Sequence, residues 1–182
     1  MIIFSSDNGP VLDDGYEDGA VTMLNGHTPA GVLRGGKYSA FEGGTRVPFI
    51  ISWPRKIKPG ISNALVSQVD FMESFKSLFG QALPKELDSE NMLHAFLGSS
   101  KKGRAIYVAQ GGSLSIVEDG WKYIEPRKGP AIAGLTKIET GNSDEPQLYN
   151  LNNDLSERTN LAEKYPQKAK DLAEKLNSIK NR

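Results

Sequence analysis

The sequence has no cysteine, and that absence excludes disulfides, thiolate metal centres and a cysteine nucleophile among its 182 residues. It leaves the compartment open, because a cysteine-free chain persists in either redox environment. Charge of one sign is also missing, since 22 Lys and Arg balance 22 Asp and Glu. There is no global field to draw in nucleic acid or an anionic membrane, so nucleic acid is not an expected partner and any anion site has to be local. No apolar run approaches the roughly 20 residues that a membrane span requires, so no span is expected. A signal-peptide pattern is missing too; if the chain continues upstream of Met1, that says nothing about export. A hydrophobic share of 38% with 24% charged residues is that of a globular protein, with a core for one domain or one and a half small ones.

What is there is organised by glycine, proline and short apolar runs. Ile2-Ile3-Phe4 predicts a buried strand, with Asp7 and Asn8 at its C-terminal end, where open α/β sheets place their ligands. A chain that opens inside a core strand reads as the rear part of something longer. Residues 9–34 carry Gly, Pro, Asp and Asn without a helical or strand period and read as a long irregular loop, of a kind that is usually functional or disordered. The run from Val47 to Trp53 predicts a second buried strand, with Pro48 at its start and Pro54 as its end. Val66, Val69, Met72, Phe75 and Phe79 recur at helical spacing, with Asp70 to Glu73 as a capping box and Gly80 as the C-terminal cap. A proline turn, a short helix over 91–97 and a polar linker over 98–103 follow, which divides the chain into domains 1–98 and 104–182.

The second part predicts a small α+β unit. Strands are expected over 105–109, 114–117, 121–124 and 147–151. Asp119-Gly120 makes a hairpin of the middle pair, because both residues tolerate positive φ. Tyr165, Ala169, Leu172, Ala173, Leu176 and Ile179 place one apolar stripe on a C-terminal helix. Residues 128–144 are expected to form a mobile loop.

Candidate chemistry concentrates near the N-terminus. Asp7 and Asn8 are adjacent oxygen donors of the kind Ca²⁺ or Mg²⁺ takes, but calcium needs about six to eight, and Asp-Asn-Gly-Pro is equally good turn chemistry. Asp13, Asp14, Glu17 and Asp18 do not follow the EF-hand pattern and read as a solvated acidic loop. Two glycines precede Lys37, so its backbone can come close to a ligand and its ammonium can reach a sulfate or phosphate oxygen. Arg34 and Arg46 offer planar forks for an anion, although Glu42 with Arg46 reads more simply as a structural ion pair. Of the two histidines, His94 reads as a surface or packing residue and His27 as a candidate substrate contact in the polar loop.

Phe4-Ser5-Ser6-Asp7-Asn8-Gly9-Pro10, Leu33-Arg34-Gly35-Gly36-Lys37, Phe41-Glu42-Gly43-Gly44-Thr45-Arg46-Val47-Pro48 and Leu148-Tyr149-Asn150-Leu151-Asn152-Asn153-Asp154 with Asn160-Leu161 together resemble the C-terminal portion of type I sulfatases. The stretch before Leu33 is most similar to the bacterial arylsulfatase A and N-acetylgalactosamine-6-sulfatase-like branch. The resemblance covers essentially the whole chain. It implies an α/β fold, the last part of an alkaline-phosphatase-like sulfatase domain followed by a small α+β domain with an antiparallel sheet and a C-terminal helix. In that family a formylglycine, made from Cys or Ser in Cys/Ser-x-Pro-x-Arg, attacks sulfur as its hydrate while calcium neutralises the sulfate oxygens. By resemblance Asp7 and Asn8 match two calcium ligands, and Lys37 matches the catalytic lysine that contacts the sulfate.

Several family groups have no counterpart here: the formylglycine precursor, its arginine, the acidic pair completing the calcium site, and an upstream lysine and histidine. Ser52-Trp53-Pro54-Arg55 sets its arginine one place early and is not assigned the nucleophile role. The resemblance therefore implies a sulfatase fragment, inactive alone, whose complete form hydrolyses sulfate esters of sugars or aryl alcohols. Its partners are the sulfated carbohydrate or aryl sulfate ester and the missing N-terminal part of the catalytic domain. Periplasmic or secreted localisation follows from the same resemblance. An uncovered strand edge also predicts self-association. Two competing readings are a noncatalytic sulfated-glycan-binding module and a phosphate or phosphonate ester hydrolase of the same superfamily.

Overall fold

The computed structural model describes residues 1–81 and 88–181. In chain order the elements are β1 (Ile2–Ser5), α1 (Glu42–Thr45), β2 (Phe49–Ser52), α2 (Phe71–Leu78), α3 (Leu93–Phe96), β3 (Ile106–Gly111), β4 (Ser113–Glu118), β5 (Trp121–Ile124), β6 (Gln147–Asn150) and α4 (Pro166–Lys180). They fall into two compact units, Met1–Ser5 with Phe49–Tyr107, and Ser6–Pro48 with Val108–Arg182. Whereas the sequence was divided once, between 98 and 104, these units each draw on two stretches of chain. The early loop joins the C-terminal residues because its backbone bonds to theirs, as where the Ala40 N–H donates to the Thr140 carbonyl at 2.9 Å.

In the first unit β1 pairs antiparallel with β2, Ile3 opposite Ile51 and Phe4 opposite Ile50. The apolar runs predict two buried strands, but Ile2 is 71% and Phe4 60% exposed, with Ile50 beside them. Side chains alternate across a strand, and here only one face is covered. The covered face holds Phe49, packed with Phe71 and Phe96 at ring-centroid distances of 5.4–5.7 Å.

Helix α2 also differs in phase from the expected stripe. Phe71, Ser74, Phe75 and Leu78 turn inward, while Val69, Met72 and Phe79 are exposed. Ser74 accounts for the shift. A buried hydroxyl that accepts the Met92 N–H at 2.8 Å occupies the inner face, and an apolar-only pattern skips it. The helix entry lies one turn earlier than expected, since the Asp70 carboxylate accepts the Ser67 N–H at 2.9 Å. Gly80 closes the helix at φ +67°, as the sequence predicts. The short helix after it spans 93–96 rather than 91–97, and the expected proline turn lies outside the described residues.

The second unit holds a four-stranded sheet of order β3-β4-β5-β6, with β4, β5 and β6 antiparallel in register. Asp119 (φ +50°) and Gly120 (φ +76°) form the predicted hairpin turn. Helix α4 packs on β4 and β5 through Ala169, Leu172 and Leu176. Ala40, Phe41, Ile124 and Tyr149 build a core cluster that ties the site loop to the sheet. The stretch 128–144 is bonded rather than free. Bridges join Arg127 to Ser143 and Ile132 to Glu139, and the Thr140 N–H donates to the Ala131 carbonyl at 2.8 Å. Among the described residues no helix is long and apolar enough to cross a membrane.

Candidate functional site

The site loop is held by backbone packed directly on backbone. The Gly9 N–H donates to the Gly44 carbonyl (3.0 Å), the Lys37 N–H to the Pro10 carbonyl (2.9 Å) and the Gly43 N–H to the Arg34 carbonyl (2.7 Å). A Cβ on Gly9 would run into the Gly43 carbonyl, and one on Gly44 into the Ser39 carbonyl. Such close approach is available only to glycine. These bonds fasten the Lys37 backbone to a residue two places beyond Asn8.

Three cations were candidates for an anion, and the structure separates them. Arg34 sends Nε and Nη2 to the two Glu139 oxygens (3.0 and 2.6 Å), Nη1 to the Glu157 carbonyl (2.8 Å), and lies 3.9 Å above the Phe41 ring centre. Its fork is fully used. The Glu139 hydrogen bond raises the Arg34 pKa, and Arg34 in turn holds the Glu139 carboxyl below the usual range. Arg46 meets Glu42 at 3.2 Å, the simpler of its two readings. Lys37 makes no ion pair among the described residues; its ammonium stands 5.3 Å from the ring centre of Tyr38, itself at φ +74°. Backbone held in that region by a non-glycine residue costs about 1–2 kcal/mol and is concentrated at functional sites. Arg34→Lys should keep the charge yet lose the paired bonds to Glu139, costing about 1–2 kcal/mol by urea unfolding.

Asp7 is exposed, with one carboxylate oxygen 3.5 Å from the Ser6 hydroxyl. Asn8 spends its amide N–H on the Gly9 carbonyl at 3.0 Å, and among the described residues its oxygen has no hydrogen-bond partner. This donor set has the right chemistry for a hard cation but too few members for one. Among the described residues no group of three or more His, Cys, Asp or Glu can hold a metal ion. His27 lines a separate open cleft of about 370 Å³ with Leu12, Asp18, Met23, Leu24 and Pro29.

Sequence reasoning missed the charges beneath the loop. Lys122, 1% exposed in β5, lies 2.9 Å from Glu42 Oε1 and 3.0 Å from Glu157 Oε1, the second contact lying off the line of a hydrogen bond. Glu157 is fully buried, and its other oxygen accepts the Glu42 N–H at 2.5 Å. Burial pushes the Glu157 carboxyl up, and Lys122 only partly offsets it. At Glu42 burial acts the same way, but Lys122 and Arg46 together bring it below the ordinary value. Burial likewise pushes the neighbouring Tyr149 phenol up to about 12. The one local sign was a lysine inside the apolar strand Trp121-Lys122-Tyr123-Ile124.

Residues 1–81 match the family model described as Sulfatase. Over its whole length the chain is similar to an N-acetylgalactosamine-6-O-sulfatase of Bacteroides thetaiotaomicron, 50% identical over 186 aligned residues that cover 100% of this chain and 36% of that protein. Human arylsulfatase A is 27% identical over 88% of this chain and 33% of its own length. A solved structure from work on glycosaminoglycan metabolism by Bacteroides thetaiotaomicron superposes with a TM-score of 0.93 at 49% identity, covering 100% of this chain and 38% of that one. A sulfatase structure from Pseudoalteromonas sp., at 21% identity, shares the fold with a TM-score of 0.70 over 97% of this chain and 36% of its own. The chain spans about a third of the length of these relatives. Over its whole length the chain is thus similar to sulfatases, and it shares the fold of the matching part of the Bacteroides structure.

Proposed function

We propose that this chain is of the sulfatase family and supplies part of a sulfuric ester hydrolase site: Lys37 as the catalytic cation on the sulfate, Asp7 and Asn8 as two calcium ligands, and His27 as a substrate contact. The observation that carries this is the state of Lys37. Of the three cations in the loop it alone has no carboxylate among the described residues, and its backbone N–H is held by the Pro10 carbonyl, two residues beyond Asn8. An aimed ammonium stabilises negative charge that develops on the leaving oxygen in the transition state. Calcium, when bound, neutralises the sulfate oxygens as a Lewis acid. Asp7 and Asn8 contribute oxygens to it, and the rest of its ligands have to come from other sequence. So does the formylglycine nucleophile, because these 182 residues contain neither cysteine nor Ser-x-Pro-x-Arg.

The substrate class that fits is a sulfated sugar, by analogy with the Bacteroides relative, or an aryl sulfate. The exposed face of Ile2, Phe4 and Ile50 is where the remainder of the catalytic domain would pack, and its exposure in the chain alone favours self-association. We place the protein in the periplasm or outside the cell on the same resemblance.

The test is a chimera in which residues 1–182 replace the aligned part of the Bacteroides thetaiotaomicron N-acetylgalactosamine-6-O-sulfatase. It should release sulfate from N-acetylgalactosamine 6-sulfate and stop on chelation, and Lys37→Ala should lower kcat about 10²–10³-fold. A folded chimera with no sulfatase activity, or one indifferent to Lys37→Ala, would overturn the reading. Faster turnover of phosphate than of sulfate monoesters would reassign the substrate.

A further inference from the structure

We propose that Lys122 is a positioning residue for this site, acting through two arms that end at Asn8 and at Lys37. The inference rests on the reading of Asp7, Asn8 and Lys37 as the working residues. Lys122 stands inside the sheet, where a lone ammonium is disfavoured unless it is paired and hydrogen-bonded. Its two partners come from distant parts of the chain, and each leads back to the loop. Glu42 opens α1, and two residues later the Gly44 carbonyl holds the Gly9 N–H at 3.0 Å, next to Asn8. Glu157 holds Arg34 through its own carbonyl at 2.8 Å, three residues before Lys37. Glu157 also receives the Glu42 N–H, which joins the two arms at their root.

The chemistry of the cluster makes it a clamp and not simply filler. One buried ammonium faces two carboxylates, and Glu157 Oε1 has no hydrogen bond to hold it apart from that attraction. Without the Lys122 charge the two carboxylates repel across the joint between the arms. Strain at that joint loosens the turn under Gly9 and the anchor of Arg34 before it reaches the helix on the far side of the sheet. A residue that served stability alone would spread its effect over the whole unit.

Amide hydrogen exchange in the 182-residue chain separates the two cases, and it needs neither substrate nor metal. In Lys122→Met the Gly9 and Lys37 amides should exchange about tenfold faster or more, while the Leu172 and Leu176 amides of α4 keep their protection. Glu157→Gln, nearly isosteric, keeps an acceptor for the Glu42 N–H and should give a smaller acceleration at the same two amides; it serves where Lys122→Met fails to fold. Uniform acceleration, including α4, or no change at Gly9 and Lys37, would overturn the proposal. An inactive chimera would instead overturn the sulfatase reading and leave this coupling measurable.

Discussion

Asp70→Ala should cost the protein about 3–5 kcal/mol, measured as a lowered urea midpoint of the first unit. Asp70 is fully buried, and one carboxylate serves three clients. It accepts the Ser67 N–H and the Glu90 N–H, each at 2.9 Å, and pairs with the Arg104 guanidinium. An exposed ion pair of this kind would contribute about 0–1 kcal/mol. Burial changes the sign of the comparison that matters. Removing the carboxylate leaves a largely buried guanidinium and two N–H groups without their acceptor, and each orphaned group costs about 1–3 kcal/mol. Arg104 keeps Glu90 at 2.9 Å and the Asp88 carbonyl at 3.0 Å, which limits the loss. Asp70→Asn keeps one acceptor and should fall between the two. A loss below about 1 kcal/mol for the alanine would mean that water replaces the carboxylate and that the site is not closed.

The parts of the structure legible in the sequence are those decided within a few residues. Asp119-Gly120 turns where it should because both residues accept positive φ, and the α4 stripe is correct at Ala169, Leu172 and Leu176 because nothing polar interrupts that buried face, although Tyr165 at its head is exposed. The two glycines before Lys37 were read as room for a ligand, whereas a Cβ on Gly36 would meet the Pro10 carbonyl and one on Gly35 the Ser39 side chain, so the close approach seen there is to the protein itself. Failures came where the deciding partner is remote. Arg34 looked free for an anion because Glu139 stands 105 residues away, and Glu42 looked paired with Arg46 alone because Lys122 is 80 residues on. The exposed face of β1 could not be read from Ile2-Ile3-Phe4, since an apolar run reports what a strand can bury and not what lies against it. Helix α2 was misread at Ser74, where a hydrogen bond to a backbone N–H lets a hydroxyl stand in the core.

Gly9→Ala should be the most damaging single change at the site, costing about 3 kcal/mol or more by urea unfolding. The new methyl would meet the carbonyl carbon and oxygen of Gly43 and the Cα of Gly44, all backbone. Overpacking among side chains costs about 1–3 kcal/mol because neighbours can change rotamer. Backbone has no such freedom. Gly43 is itself closed in by the carbonyls of Arg34 and Gly35, and Gly44 by those of Ser39 and Gly36, so neither can retreat without breaking the Gly43 to Arg34 bond at 2.7 Å. The chain at residue 9 must move instead, giving up the bond to the Gly44 carbonyl and shifting the adjoining Asp7 and Asn8. Gly60→Ala is the control, because a methyl there meets nothing within 4 Å. It should leave stability unchanged or raise it by about 0.4–1 kcal/mol through the unfolded chain. If both alanines prove equally harmless, the packing of residues 9, 43 and 44 is looser than the structure shows, and the link from the loop to Asp7 and Asn8 fails with it.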